Sequence, residues 1–179
     1  MSLEAIADHY DLYLGESEDV APVGVLRILD FQPDEADFVT FASLGLSAAK
    51  ITAVFPQEIV CSVVDGQDGA AEHLVRIAVE LVLQQGRGLV NEDVIPNDGP
   101  LLAGTEIHGV LVASHPSLGD SFNVVFAEDG VTVVAELMTM IPITANEVAL
   151  ARREGVQTLI ALLDVADVNL LDVTRDSVV

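Results

Sequence analysis

The chain has 179 residues, enough for one hydrophobic core and too few for two large domains. Seven Lys and Arg against 29 Asp and Glu give a formal net charge of −22, and this negative potential argues against nucleic acid or an anionic membrane as partner. We therefore predict one domain over residues 1–179 whose stable partner is another protein with a basic surface. The alternative is that the acidity serves solubility or reflects the host environment.

The cysteine content and the N-terminal pattern indicate the compartment. Cys61 is the single cysteine and lies in an apolar run, so no internal disulfide is expected. Residues 2–11 lack the basic and apolar regions of a secretory signal. The most apolar stretch, residues 131–143, is interrupted by Glu136 and Pro142 and falls short of the roughly 20 residues that span a bilayer. These features predict a cytoplasmic protein.

The N-terminal quarter predicts a helix followed by a β-hairpin. Residues 3–14 have apolar side chains three or four apart, which is typical of an amphipathic helix, and Gly15 can end it. The acidic run 16–19 is predicted to be an exposed loop. Residues 22–31 and 37–44 have the apolar density of strands and are expected to pair across a turn at residues 32–35.

A strand and a long helix are predicted next. The β-branched run 58–64 indicates a third strand. A helix is expected over about residues 70–85, with Asp68 as its N-cap and Gly86 at its end. Residues 90–104 contain several turn formers and are predicted to be a loop.

Three further apolar runs predict an antiparallel meander. They cover residues 107–113, 122–127 and 131–141, and the last two are joined by a short Gly-containing connection.

The C-terminal part is predicted to be helical. Thr144 and Glu147 have the spacing of a capping box, in which the hydroxyl accepts from the Glu147 amide and the carboxylate accepts from the Thr144 amide. The helix should run over residues 145–154, break at Gly155 and resume over 156–163. The tail, residues 168–179, is expected to be either a last strand or a loose terminus.

No residue set has the spacing of a catalytic or metal site, so we predict no catalytic residues, no metal and no cofactor. The histidines, His9, His73, His108 and His115, are not spaced with Cys, Asp or Glu as metal ligands would be. The loop 114–120 contains a Ser, a His and an Asp, but triads are assembled across a fold, so it is interpreted as a polar loop.

Acidic clusters are the remaining candidates for a site. They can clamp a basic partner surface or bind a divalent cation, although charge runs in loops are often only solvated surface. The candidate partner-binding residues are Glu16, Glu18, Asp19, Asp34, Glu35 and Asp37.

Several short motifs occur in a characteristic order. A loop ending in Gly99–Thr105 follows the long helix, and Pro142–Glu147 forms a strand-to-helix junction. Upstream, Phe41–Ser47 and Pro56–Ile59 fit two further strand positions. In this order the chain resembles the suppressor of fused (SUFU-like) family over about residues 23–163. The positions that match for structural reasons are Gly104, Pro142, Thr144, Glu147 and Gly155.

The resemblance implies an α+β fold with a mixed, largely antiparallel sheet flanked by helices, and no enzymatic activity. Its bacterial members are often regarded as immunity proteins, which implies a protein that neutralises a basic toxin. An adaptor or regulator without a toxin partner has the same sequence features, and an uncharacterised enzyme is the third alternative. The family often carries aromatic residues that this chain lacks, and a second domain of its eukaryotic members is not expected here. Homo-oligomer formation is left open.

Overall fold

The computed structural model describes residues 3–20, 22–24, 26–33 and 36–179. Within them lie four α-helices and eight strands. In chain order they are α1 (Leu3–Leu14), β1 (Ser17–Asp19), β2 (Arg27–Phe31), β3 (Phe38–Leu44), β4 (Gln57–Val64), α2 (Asp68–Gln85), β5 (Val94–Pro96), β6 (Ile107–Ala113), β7 (Val124–Phe126), β8 (Val133–Thr144), α3 (Ala145–Glu154) and α4 (Val156–Val165).

The strands form one mixed sheet in the order β1-β2-β3-β4-β8-β6-β5, with β7 also paired to β8. The central β4–β8 pair is parallel, from Gln57 opposite Glu136 to Val60 opposite Thr139. The other pairs between these strands are antiparallel. The predicted α+β class with a largely antiparallel sheet is therefore confirmed.

Helices cover both faces of the sheet because the central strands are apolar on both faces. Ile28, Ile59 and Cys61 belong to the core beneath α2, whereas their neighbours Leu29 and Val60 belong to the core beneath α1. Successive strand residues point to opposite faces, so α1 and α2 lie on opposite sides. A third cluster joins α3 and α4 to β6 and β8.

Two N-terminal predictions are wrong in detail. The acidic run predicted as a loop contains strand β1, since residues 17–19 pair with β2 as an exposed edge strand. The strand predicted from residue 22 begins only at Arg27.

The predicted cap of α2 is also wrong. Asp68 does not cap α2, because the helix already begins there and Gln67 occupies the cap position without a side-chain hydrogen bond. The end of α2 at Gly86, with φ of 62°, is as predicted.

The predicted meander is correct for its last hairpin, β7 with β8, and wrong for its first, since β6 does not pair with β7. Strand β6 pairs with residues 139–144 of β8 and β7 pairs with residues 133–136, so both use β8 as their partner. A 3-10 turn at Asp120–Asn123 replaces the start of the predicted strand 122–127. Strand β5 lies within the predicted loop 90–104 and pairs with β6. A 12-residue β8 is long enough to pair with both strands.

The C-terminal tail is neither a strand nor a loose terminus. Residues 168–179 are irregular, yet Leu171, Val173 and Arg175 are buried. The tail is held to β4 by a hydrogen bond from the Val64 amide to the Leu171 carbonyl, 3.1 Å. Buried side chains and long-range hydrogen bonds therefore hold a segment that has no regular pattern of its own.

In the described part of the chain, no helix combines the length and the apolar character that crossing a membrane requires.

Candidate protein-binding surface and buried polar clusters

Of the acidic residues predicted to bind a partner, Glu16, Glu18 and Asp19 lie on or next to strand β1, and Asp37 directly precedes β3. Glu16, Glu18, Asp19 and Asp37 are exposed, whereas the predicted Asp34 and Glu35 fall outside the described residues. The Asp19 carboxylate has Arg27 at 3.4 Å, an exposed pair of small energetic value. The remaining described members have no basic partner among the ion pairs of the described residues.

The fold adds acidic side chains that the sequence prediction missed. Asp30 on β2 lies opposite Glu18 on β1, and α2 places Asp68 and Glu72 near it. Burial raises the pKa of Asp30, the hydrogen bond from Gln32 opposes this, and the charges of Asp68, Glu18 and Glu72 raise it further. We call Glu16, Glu18, Asp30, Asp37, Asp68 and Glu72 the acidic surface. The only sequence signal for Asp30 was a carboxylate within an otherwise apolar strand.

A cleft of about 680 Å³ opens where β4 begins. It is lined by residues 52–54, 87–91, 113–114, 123–124 and 136–138, together with Gln57. Along β8, pairing with β7 stops at Glu136 and pairing with β6 starts at Thr139, so Leu137 and Met138 lie between the two partner strands. The volume lies within the range of typical ligand-binding clefts.

The lining of the cleft is largely apolar and includes exposed valines. Val54 is 87% exposed and Val90 61% exposed, which is unusual for two valines that line the same concave surface. Glu136 is half-buried and Arg87 exposed, and neither makes an ion pair within the described residues. No sequence signal singled out this cleft, since its segments are far apart along the chain.

A buried carboxylate organises the loop after β3. Glu58 on β4 is fully buried, and its Oε1 accepts from the Gly45 amide at 2.9 Å and the Ser47 amide at 3.0 Å. Its Oε2 accepts from the Leu46 amide at 3.2 Å and the Ser43 hydroxyl at 2.5 Å. Burial raises the pKa of Glu58, and these hydrogen bonds oppose the increase.

This loop needs Gly45. Its φ of 115° lies in the left-handed region, and a Cβ there would come within 3.1 Å of the Leu26 side chain. Within the motif Phe41–Ser47, the Ser43 hydroxyl and the amides of residues 45–47 therefore enclose the Glu58 carboxylate, and Gly45 provides the left-handed backbone that this requires.

A second buried carboxylate, Glu147, ties the tail to the start of α3. The capping box is present as predicted, with the Thr144 amide donating to Glu147 at 2.8 Å. The guanidinium of Arg175 donates to both carboxylate oxygens, at 2.6 and 2.7 Å. The Val178 amide donates as well, at 3.1 Å. The sequence indicated the cap, but nothing in it indicated the buried ion pair.

The other residues of the predicted motifs lie in turns and at element ends. Gly104 is exposed in a turn with φ of 78°, and Gly155, with φ of 92°, separates α3 from α4. Pro142 lies within β8, beyond Thr139, the last β8 residue paired with β4. Its missing N–H therefore interrupts no pairing with β4.

His115, from the predicted Ser–His–Asp loop, is buried and contacts a different serine. Its Nδ1 accepts from the amides of Ser117 and Leu118, both at 3.1 Å. The ring proton therefore lies on Nε2, which donates to Ser62 Oγ at 2.7 Å. Ser62 in turn bonds Thr40 Oγ1 at 2.7 Å. A histidine that donates to a serine cannot accept that serine's proton, so this arrangement does not activate Ser62 as a nucleophile.

His115 gives a testable pH dependence. Burial lowers its pKa from 6.5 to about 4. Its stabilising effect is therefore complete above pH 6.5 and is lost as the pH falls through about 4, a difference of about 3 kcal/mol. We expect His115→Gln to remove this part of the pH dependence, measured by urea unfolding between pH 7.5 and about 4. His73→Gln, on the exposed face of α2, is the matched control, and an identical profile for both variants would contradict the expectation.

The part of the chain that the structure describes contains no group of three or more His, Cys, Asp or Glu side chains arranged to hold a metal ion.

Comparisons with known proteins agree with the resemblance seen in the sequence. The profile of the family described as "Suppressor of fused protein (SUFU)" matches residues 19–176. A structure described as a SUFU homologue from Neisseria gonorrhoeae is similar, with a TM-score of 0.70, 13% identity, and coverage of 98% of this chain and 96% of the other. No curated protein matches the sequence.

Two further solved structures show the same fold. The Sufu–Fu complex has a TM-score of 0.69 and 16% identity, covering 98% of this chain and 91% of that chain. Drosophila Suppressor of Fused has a TM-score of 0.63 and 13% identity, covering 98% of this chain and 50% of that chain. At these identities the likeness concerns the fold.

Proposed function

Because the chain belongs to the suppressor of fused protein family, we propose that it is a non-catalytic protein-binding domain whose acidic surface binds a basic partner protein. The observation that carries this proposal is the combination of the family with a net charge of −22. One of the similar structures is a complex between Sufu and another protein, Fu. Complementary charge accelerates the encounter of two proteins and disfavours wrong partners.

We propose further that the basic partner is a toxin. An immunity-type protein that neutralises a toxin with a cationic active site would need carboxylates that occupy the place of phosphates. The acidic surface supplies such carboxylates on the edge strand β1 and, through Asp68, at the start of α2, whereas Glu72 is paired with Arg76 at 2.7 Å. Co-expression with a toxin encoded beside this chain tests this part directly, and unchanged toxicity would exclude it in favour of an adaptor or regulator.

Salt dependence distinguishes binding through charge from other modes. We expect affinity capture from the native lysate to retain a basic protein at about 50 mM salt and to lose most of it at about 500 mM, because the Debye length falls below about 5 Å. The Kd of the captured pair should increase by at least about tenfold over this range of salt concentration. Capture that is insensitive to salt would contradict the electrostatic part of the proposal.

A charge-matched pair of variants locates the binding surface. The variant Glu16→Gln/Glu18→Gln/Asp37→Asn neutralises three exposed residues of the acidic surface. The control Asp98→Asn/Glu128→Gln/Asp164→Asn removes the same charge at other exposed positions. We expect the first to weaken binding by about tenfold and the second by less than about threefold. Equal losses would indicate that only net charge matters.

A further inference from the structure

We propose that the cleft at the start of β4 binds a segment of the partner in which an aliphatic or aromatic side chain stands next to a Lys or Arg. This rests on the proposed protein-binding function and adds the place and the chemistry of a specific contact. The acidic surface attracts a basic protein from a distance, whereas the cleft selects a side chain.

The exposed apolar side chains of the cleft are the first observation that supports this proposal. Val54 and Val90 both line the cleft and both expose most of their surface. Phe55, next to Val54 in the chain, is also 40% exposed. Leu137 lines the cleft from β8 and is almost fully buried. A side chain entering the cleft would remove both valines from water, which favours association in proportion to the apolar area covered.

The apolar residues are held on ordered backbone. The Gln57 side chain donates to the Leu89 carbonyl and accepts from the Leu89 amide, each at 2.9 Å. The Thr52 amide donates to the Gly86 carbonyl, and the Gly88 amide donates to the Thr52 carbonyl, each at 2.9 Å. These contacts join residues 52–54 to residues 87–91, so little ordering is needed when a partner binds.

The charges of the cleft and of the whole chain indicate which charged residue stands next to the apolar side chain of the partner segment. Glu136 lines the cleft half-buried, and within the described residues no basic nitrogen lies within 4 Å of its carboxylate. Arg87 also lines the cleft and favours an anion locally. The net charge of −22 makes the approach of a cationic segment more favourable than that of an anionic one. The segment is therefore expected to place its cation beside Glu136 and away from Arg87.

A random twelve-residue peptide library displayed on phage tests the proposal with the full-length chain. Selection on the wild type is expected to enrich sequences that pair an aliphatic or aromatic residue with Lys or Arg. Fluorescence anisotropy with the enriched peptide then compares Val54→Ser/Val90→Ser with Val131→Ser/Val165→Ser. The control valines are similarly exposed, at 78% and 79%, and do not line the cleft.

The expected results are specific to the cleft. The Val54→Ser/Val90→Ser variant should bind the peptide at least about tenfold more weakly, and the control variant within about twofold of the wild type. Glu136→Gln should weaken binding and Arg87→Gln should strengthen it, both more at low salt. Circular dichroism of each variant checks that the fold is kept.

Other outcomes overturn the cleft proposal without touching the proposed function. Equal peptide binding by the two serine variants, or enrichment of basic sequences without an apolar residue, would place binding on the acidic surface alone. No enrichment, or a homodimer that Val54→Ser/Val90→Ser dissociates, would also overturn it. The proposed function fails on a different measurement, namely if lysate capture retains no basic partner or if the capture is insensitive to salt.

Discussion

Arg175→Met is expected to lower the free energy of unfolding by about 3–5 kcal/mol, because it leaves the Glu147 carboxylate buried without its charged partner. Arg175 and Glu147 are 28 positions apart and both buried, and their two hydrogen bonds are short, at 2.6 and 2.7 Å. For a chain of this length the melting temperature should fall by about 10 °C. Urea unfolding followed by circular dichroism at pH 7 measures the change.

An exposed ion pair provides the matched control. Arg27→Met removes the same type of side chain from Asp19, at 3.4 Å, and should cost less than about 1 kcal/mol. The double variant Glu147→Gln/Arg175→Met should be less destabilised than the sum of its single variants, since no unpaired charge remains. A loss below about 1 kcal/mol for Arg175→Met would show that the tail contributes little to stability.

The same ion pair affects stability at low pH. Burial raises the pKa of Glu147. The Arg175 guanidinium and the Thr144 and Val178 amides lower it by a larger amount, so the pKa lies below 4.5. Its stabilising effect is therefore present above pH 4.5 and lost as the pH falls through the folded-state value. Arg175→Met should remove this acid-sensitive component.

Glu58→Gln should destabilise the protein by about 2–4 kcal/mol, although it replaces only one carboxylate oxygen by NH₂. Each carboxylate oxygen accepts from two donors. An amide NH₂ in place of Oε1 would oppose the Gly45 and Ser47 amides, and in place of Oε2 it would oppose the Leu46 amide, since the Ser43 hydroxyl can turn to accept. Each buried donor that loses its acceptor costs about 1–3 kcal/mol. Chemical unfolding at pH 7 provides the measurement.

Two further variants serve as controls for Glu58→Gln. Glu18→Gln makes the same chemical change on the exposed edge strand and should lie within about 0.5 kcal/mol of the wild type. Ser43→Ala removes one donor to Glu58 and the acceptor of the Ile59 amide, so an intermediate loss is expected. A neutral Glu58→Gln would mean that the carboxyl is protonated in the folded state, since the amide mimics that form.

Local patterns were sufficient wherever one segment determined its own structure. The apolar spacing of residues 3–14 and 70–85, the capping box at Thr144 and Glu147 and the break at Gly155 all predicted helices that are present. Asp68 was misjudged as a cap, because a good N-cap residue is also tolerated in the first turn.

Strand pairing could not be predicted in the same way. An alternating apolar run indicates a strand but not its neighbour, and consecutive strands are often assumed to pair. Here β8 pairs with β4, β6 and β7, so the expected β7–β8 hairpin is present but β6 does not pair with β7 as the meander required. The same difference applies to the candidate site. The acidic run 16–19 could be recognised in the sequence, whereas the position of Asp30 and the cleft depend on which strands pair.

The charge, the helices, most strands and the family of this protein could be predicted from the sequence, because they depend on composition and on neighbouring residues. Three features depend on the assembled fold: the enclosure of Glu58 by the loop after β3, the pairing of Arg175 with Glu147, and the cleft lined by Val54 and Val90. These residues lie 11 to 36 positions apart in the chain, and the hydrogen bonds of Glu58 and Glu147 form in a buried environment that only the assembled sheet provides.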